Sequence, residues 1–326
     1  MTRALLTQRF GSFTNSPLKT FIIEAHVDQP DTSTLRSLTG GDQVEATEDA
    51  YLFQLRSGNV ELWVDTLDPR FWSVYTWSSA RESKRYIKAL VERRRDLDWA
   101  WLPSAHLQRA WPGQLRWLRS SFEGSGVLSA ELPARDLRIQ VAGADSENLL
   151  SWIAQNEAYA SAVAYDRVGF IAADDHFSGQ ADEILDRMGR FVASGTSFEL
   201  HQELVRSVIE RYADLVRKIE QRALKYEPLP DGGYRAEGAP ILLRFSRRVP
   251  DVDLLVDELF SSREPFRLWG EPQMLEPDRV WVDAVDLHVG QRVGFDITDA
   301  SVRVHLPAGA CGNTVVRLVA NLLTPG

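Results

Sequence analysis

The sequence predicts an α+β protein of two to three consecutive modules, each an antiparallel sheet covered on one face by helices. Three observations predict this class. Apolar residues alternate in short runs, as in half-buried strands. Two helices are opened by a Ser or Thr followed three residues later by Glu. Finally, one order of elements (strand, helix, two or more strands, amphipathic helix) recurs near residues 18–97, 136–224 and 240–324.

The first module is predicted from alternation, turn residues and one capping box. Gly40 and Gly41 end its first helix, and Ser79 with Glu82 opens a longer helix that runs to about Leu97. In chain order its predicted elements are a strand at 18–28, a helix at 30–38, strands at 51–55, 60–67 and 71–77, the helix from Ser79, a short aromatic strand or turn at 98–103 and a further helix over 104–122 interrupted at Pro112 and Gly113.

The second module is predicted from two helical stripes. Asp145 or Ser146 caps the first helix, and Thr196 with Glu199 opens the second, whose apolar residues recur every three to four positions. Its predicted elements are a strand at 137–141, a helix from 145 to 163, strands at 168–172 and 191–193 around a small helix at 180–188, and the helix from Thr196. Residues 227–240, with three prolines and three glycines, predict a linker.

The third module is predicted to begin with a strand at 241–246 and a helix capped by Asp251. Strands at 266–275, 280–289, 292–297 and 302–306 follow, and then a final helix from Asn313. This order is similar to that of one lobe of a TATA-binding-protein-like fold, as an analogy of topology alone. We therefore predict domains at 1–125, 126–228 and 238–326.

Composition and charge restrict the classes of function. The chain has 326 residues and a net charge of −9, but residues 1–120 carry 16 basic and 14 acidic residues. An acidic protein is not expected to coat DNA or RNA, yet a local basic patch fits the first third. A single cysteine, Cys311, excludes internal disulfides and multi-cysteine zinc sites. No apolar run is long enough to span a membrane, so we predict a cytoplasmic protein that has no membrane partner.

The helix from Ser79 predicts a nucleic-acid-binding patch. Basic residues recur along one side of it, and further arginines interleave with Trp111 and Trp117 on the following segment. Fixed cations and flat rings suit phosphates and unpaired bases. The alternative is a solvated face neutralised by nearby acidic residues. The predicted patch consists of Arg81, Lys84, Arg85, Lys88, Arg95, Arg109, Arg116 and Arg119.

The C-terminal strands predict a second constellation. Asp286 and His288 share one side of their strand, and His305 lies on another strand. If these strands pair, the three side chains could converge on zinc or iron, whereas the alternative is a wet sheet face. The loop 307–314 departs from the phosphate-binding loop pattern, so we predict no nucleotide triphosphate site and no cofactor.

No catalytic motif is present, which favours a non-enzymatic binding or assembly protein that acts through protein contacts and a local nucleic-acid contact. Two alternatives stay open. One is a metal-dependent hydrolase or nuclease. The other is a small-molecule sensor with an aromatic pocket built from Trp63, Trp72 and Trp77.

Overall fold

The computed structural model describes residues 4–11, 13, 16–110, 115–122, 137–143, 145, 148–149, 152, 155, 165–173, 179–230, 232–245 and 248–322. The chain divides into two compact units. Unit 1 comprises Met1–Arg119, Gln140–Glu147 and Tyr165–Tyr212, and unit 2 comprises Ser120–Ile139, Asn148–Ala164 and Ala213–Gly326.

The elements of the described residues alternate between short strands and amphipathic helices. The helices are α1 (Ala4–Phe10), α2 (Thr32–Thr39), α3 (Ala80–Arg93), α4 (Ser104–Gln108), α5 (Phe198–Glu220), α6 (Val252–Leu259) and α7 (Asn313–Leu322). The strands are β1 (Leu18–Ala25), β2 (Gln43–Ala46), β3 (Leu52–Ser57), β4 (Val60–Asp65), β5 (Phe71–Thr76), β6 (Leu97–Trp99), β7 (Leu115–Phe122), β8 (Leu137–Ala142), β9 (Tyr165–Ala173), β10 (Gln180–Asp186), β11 (Arg190–Gly195), β12 (Lys225–Pro228), β13 (Tyr234–Glu237), β14 (Ile241–Arg244), β15 (Leu268–Glu276), β16 (Arg279–Asp286), β17 (Gln291–Thr298) and β18 (Ser301–His305).

The large sheet has the order β2-β3-β4-β5-β1-β11-β10-β9-β7-β8, with β6 also paired to β1. Its registered pairs are antiparallel, so the predicted α+β class is confirmed. Leu18 of β1 pairs with Ala193 of β11. Strands from the first two predicted modules therefore share one sheet, and a separate sheet for each is not confirmed.

One face of this sheet is covered by α2 and α3. Asp31 caps α2 by accepting a hydrogen bond from the backbone N–H of Thr34 at 2.7 Å. Ser79 caps α3 by accepting one from Glu82 at 3.2 Å, as its capping box predicts. The buried residues of α3 recur every four positions, which turns a single side of the helix towards the sheet. They are Ser83, Ile87 and Val91.

The opposite face is covered by α1 and the first turns of α5. The ring of Phe10 lies 5.5 Å from that of Phe198 and 6.2 Å from that of Tyr75 on β5. Every residue of β1 and of β5 is buried. Strands buried on both faces show that this sheet is the middle layer of three, whereas one covered face was predicted.

Two local helix predictions are wrong. The helix predicted over 104–122 is the short helix α4 followed by the strand β7, and the small helix predicted over 180–188 is the strand β10. The segment 227–240, which was predicted as a linker, contains the exposed hairpin of β12 and β13 and lies within unit 2. The helix predicted over 145–163 lies mostly outside the described residues.

Unit 2 contains a five-stranded antiparallel sheet of order β14-β18-β17-β16-β15. The predicted order of strand, helix, four strands and helix is confirmed. Asp251 caps α6 through the backbone N–H of Leu254 at 2.9 Å, and nine of the ten residues of α7 are buried. One face of the sheet carries the apolar core, formed with α6 and α7. Inner and outer residues alternate along β16, as expected for a sheet with one covered face.

The edge strand β15 is exposed along most of its length, with Trp269, Met274 and Leu275 more than half accessible. Within the part of the chain that the structure describes, no helix combines the length and apolar character needed to cross a membrane.

Candidate functional site

A cleft of about 240 Å³ opens in unit 1 between the sheet and α5. Its floor is formed by alternate residues of β5, Phe71, Ser73 and Tyr75, which point to one face because strand side chains alternate. Its other wall is one side of α5, where Gln202, Val205, Arg206, Ile209 and Glu210 are spaced by three or four positions. Asp65, at the end of β4, closes one side.

Two polar side chains line this cleft without a protein partner. Ser73 is 7% exposed and Gln202 is 6% exposed. Among the described residues, neither the Ser73 hydroxyl nor the Gln202 amide makes a hydrogen bond within the protein. Neither group is among the buried polar atoms that lack a partner, so both reach the open cleft, where water or a ligand can contact them.

Negative charge predominates around the cleft. Asp65 is 8% exposed, and Asp68 and Glu210 line the same space. Arg206 is the basic residue in the lining, and its guanidinium forms an ion pair with Glu203 at 3.0 Å. The carboxylates therefore leave the cleft with a net negative charge at neutral pH.

A buried polar chain lies behind this wall. The Oγ1 of Thr20 is 2.8 Å from Nε2 of His201, and Nδ1 of His201 is 2.7 Å from Oε1 of Glu183. All three residues are fully buried. The rings around His201 are those of Phe13, Tyr75, Phe191 and Phe198. A hydroxyl closed off from solvent cannot reach a substrate, so the chain joins α5 to β1 and β10 and is structural.

The carboxyl of Glu183 is perturbed by this burial. Loss of solvent raises the pKa of Glu183 above its usual 4.5, and the attraction of His201 opposes the rise. With Glu183 ionised, both contacts are satisfied when Nδ1 of His201 donates to the carboxylate and Nε2 accepts from the Thr20 hydroxyl.

The structure separates the basic residues predicted from the sequence. Arg81, Lys84, Arg85 and Lys88 are exposed on α3. Arg95 is also exposed, but it follows the helix, which ends at Arg93. The carbonyl oxygen of Arg109 accepts a hydrogen bond from Arg211, while Arg116 and Arg119 lie on β7 and their side chains are outside the described residues.

Four charged residues act on the Lys84 ammonium. Burial lowers the pKa of Lys84, and the positive charges of Arg190, Arg167 and Lys88 lower it further, while Asp186 opposes them. Arg167 lies on β9 and Arg190 on β11. The sequence offered no signal for these two arginines, because each is a lone cation in an alternating strand.

The predicted metal ligands do not gather in unit 2. The Asp286 carboxylate is buried and accepts hydrogen bonds from Arg317 at 2.6 Å, from Thr314, and from the backbone N–H of His288 at 2.9 Å. Burial alone would raise the pKa of Asp286, but these contacts outweigh it and hold the pKa below its usual 3.8.

The two histidines of that prediction lie in different surroundings. His305 lies on β18 with its ring 5.1 Å from that of Trp281. His288 is fully buried, and a ring nitrogen of it lies within 4.8 Å of the Cys311 sulfur. Among the described residues, Asp286, His288 and His305 do not bring their donor atoms within 4.8 Å of one another, and the metal site stays a prediction.

The predicted aromatic pocket is also dispersed. Trp63 and Trp77 pack against Phe10, on the side of the sheet covered by α1. Trp72 lies on the other face, with Ile23, Leu35 and Ile87. The sequence did not predict the cleft, because α5 lies about 130 positions after β4 and β5 in the chain. The buried Glu183 was missed because a carboxylate inside an alternating strand resembles an exposed position.

Comparison with known proteins places the chain in a family. The family model described as "MJECL33-like protein" matches residues 2–324. The chain is also similar to "Uncharacterized protein MJECL33" of Methanocaldococcus jannaschii, with 25% identity over 347 aligned positions that cover 94% of this chain and 83% of that protein. Because the match spans nearly every residue, the chain belongs to the MJECL33-like family.

Proposed function

We propose that this member of the MJECL33-like family is a binding protein that holds a small, positively charged organic molecule in the cleft between β5 and α5. The observation that carries the proposal is the pair of polar groups on Ser73 and Gln202, which line the acidic cleft and make no hydrogen bond to another described residue. A serine hydroxyl and a glutamine amide each offer a donor and an acceptor, so together they can recognise a hydroxyl, carbonyl or amine of a ligand.

The sign of the charge supports a cationic ligand. Asp65, Asp68 and Glu210 face the cleft, and Arg206 is already engaged by Glu203. A bound ammonium would gain charge-assisted hydrogen bonds that a carboxylate ligand would lose to repulsion. The side chains of Phe71 and Tyr75 add an apolar floor to the cleft.

The volume supports a small ligand. Pockets for drug-sized molecules span about 300–1,000 Å³. A cleft of about 240 Å³ is below that range and suits an amine or amino alcohol of a few heavy atoms. The protein-contact and nucleic-acid functions predicted from the sequence stay predictions beside this proposal.

The test is a thermal-shift and calorimetric screen of small amines against carboxylic acids and neutral alcohols of matched shape. We expect an amine to bind, and Asp65→Asn or Ser73→Ala to weaken its binding by roughly tenfold or more, because each removes a hydrogen bond near a charge. Glu45→Gln is the matched control, since Glu45 is an exposed carboxylate on β2 outside the cleft. If no compound binds, or if Glu45→Gln weakens binding as much as Asp65→Asn, the proposal is wrong.

A further inference from the structure

We propose that unit 2 contains a metal site in which His288 and Cys311 are ligands of a zinc ion. His288 lies in the turn between β16 and β17, and Cys311 lies in the loop between β18 and α7. These segments meet because the end of β16, the start of β17 and the end of β18 share one end of the antiparallel sheet. Both residues are buried, and a ring nitrogen of His288 lies within 4.8 Å of the Cys311 sulfur.

The turn that carries His288 is held by the last residue of β16. The Asp286 carboxylate accepts a hydrogen bond from the backbone N–H of His288 at 2.9 Å and another from the Arg317 guanidinium of α7 at 2.6 Å. The backbone carbonyl oxygen of Asp286 accepts from the N–H of Gly290 at 2.7 Å. Asp286 is therefore a positioning residue, which fixes the segment that presents the imidazole.

The loop that carries Cys311 is held by Gln291, the first residue of β17. The side-chain amide of Gln291 donates to the carbonyl oxygen of Gly309 and accepts from the N–H of Cys311, each at 2.8 Å. The next N–H, of Gly312, donates to the Glu220 carboxylate at 2.9 Å. Because Gln291 directly follows the turn of His288, it ties the two ligand-bearing segments to each other.

The chemistry of the two donors favours zinc. Thiolate sulfur and imidazole nitrogen bind zinc at about 2.0–2.3 Å, whereas magnesium and calcium take oxygen ligands. Zinc coordinates the thiolate form of cysteine, so the thiol proton of Cys311 passes to solvent when the metal binds. Zinc is usually tetrahedral, and the positions that this pair does not fill are taken by water or by other side chains.

Burial argues against a nucleophilic role for the same pair. A thiolate activated by a neighbouring histidine can attack a substrate only where the substrate reaches the sulfur. Cys311 is 3% exposed, and His288 is fully buried. A single metal ion is far smaller than a substrate, and its positive charge compensates a thiolate that is removed from water. Metal binding is therefore the function that fits this pair.

The experiment measures the binding of zinc, and of cobalt as its spectroscopic substitute, to the full untagged chain under reducing conditions. We expect stoichiometric zinc binding and a thiolate-to-cobalt charge-transfer band in the near ultraviolet. Since Cys311 is the only cysteine of the chain, this band reports that residue alone. A chain that binds neither metal, or that binds cobalt without the band, contradicts the proposal.

Substitutions test each ligand separately. Cys311→Ser should remove the cobalt band, and both Cys311→Ser and His288→Gln should weaken zinc binding by roughly tenfold or more, since loss of even an outer partner of a ligand has an effect of that size. His305→Gln is the matched control, because His305 lies on β18 of the same unit with its ring beside Trp281. Equal effects of the two histidine substitutions would overturn the proposal.

Two further measurements leave both ligands in place. Gln291→Met removes both hydrogen bonds to the Cys311 loop and should weaken zinc binding roughly tenfold. Gln291→Glu keeps the acceptor for the Cys311 N–H and should restore part of that binding. With the unsubstituted chain, zinc should slow the alkylation of Cys311 by iodoacetamide. An alkylation rate that zinc leaves unchanged counts against coordination by the thiol.

Discussion

The sheets of the two units share one strand order but differ in how many of their faces are covered by helices. In unit 1 the order β2-β3-β4-β5-β1 follows the succession strand, helix, four strands, helix, and unit 2 repeats both with β15-β16-β17-β18-β14. The unit 2 sheet carries its core on one face. In unit 1 the helices α1 and α5 cover the second face as well, and the cleft lies under α5. A second helical layer thus creates a cleft on a sheet that would otherwise present an open surface.

The difference is also visible in how each unit contains buried charge. Unit 2 buries an ion pair, Asp286 with Arg317, at the end of its sheet. Unit 1 buries a hydrogen-bonded chain between its sheet and α5, which runs from the Thr20 hydroxyl through His201 to the Glu183 carboxyl. Neither group reaches solvent, so each depends on its contacts inside the protein. The predictions below test each unit through these groups.

The largest effect is expected from breaking the unit 2 ion pair. Asp286→Asn removes the carboxylate that pairs with the buried guanidinium of Arg317, which should lower the free energy of unfolding by about 3–5 kcal/mol. Asp283→Asn is the control, because Asp283 is exposed on the same strand. Chemical denaturation followed by circular dichroism measures both. Similar stability of the two variants would show that the pair contributes little.

The pH dependence of stability should differ between the units. The folded pKa of Asp286 is lowered, so its contribution is present above 3.8 and is lost as pH falls through the folded value. The folded pKa of Glu183 is raised, so its contribution is full below 4.5 and is lost as pH rises through the folded value.

Hydrogen exchange measured across this pH range follows each unit separately. We expect protection of α7 to fall first in acid, and protection of the first turns of α5 to fall as the pH is raised above about 4.5. Asp286→Asn should remove the acid response of α7. An acid response that persists in this variant would assign it to another carboxyl.

A smaller effect is expected from the buried chain of unit 1. Thr20→Val keeps the shape of the side chain but leaves Nε2 of His201 without its hydroxyl partner, which should cost about 1–3 kcal/mol. Thr20→Ser retains the hydroxyl and should restore most of the loss. Equal destabilisation by valine and serine would mean that packing, and not the hydrogen bond, is the contribution of Thr20.

The smallest effect is expected on the open face of unit 2. A Cβ at Gly294 would lie 2.9 Å from an atom of the Trp281 ring, so Gly294→Ala must displace the indole from the sheet. We expect a loss of about 1 kcal/mol, near the low end for overpacking, and a red shift of tryptophan emission. An unchanged emission spectrum would show that the ring has room to accommodate the methyl group.

Secondary structure was predicted best from the sequence where the polarity of each residue follows its exposure to solvent. In the five-stranded sheet of unit 2 the caps, turns and alternation identified each strand and both helices, because one face is buried and the other is exposed to solvent. In β10 the same reasoning failed, because Glu183 points inward and its partner His201 lies 18 positions later on another element. The segment of β7 reads as a helix because arginines and large apolar residues recur at three-residue spacing.

The candidate sites were less predictable than the fold. The sequence identified Lys84 and Lys88 from the helical stripe. Arg167 and Arg190 lie on β9 and β11, and only the pairing of both strands with β10 brings these two strands together. The cleft depends on α5 packing across β5, and nothing local in either segment encodes that packing. Contacts between segments that are distant in the sequence bring these side chains together, and the local spacing of residues does not predict such contacts.

The exposed strand at the rim of unit 2 has a consequence for the behaviour of the protein at high concentration. An accessible strand with Trp269, Met274 and Leu275 is a template on which another chain could extend the sheet. Pro272, in the middle of that strand, has no N–H to offer an incoming chain. One imino acid thereby interrupts the ladder that self-association would need, and its replacement should make the protein aggregate more readily.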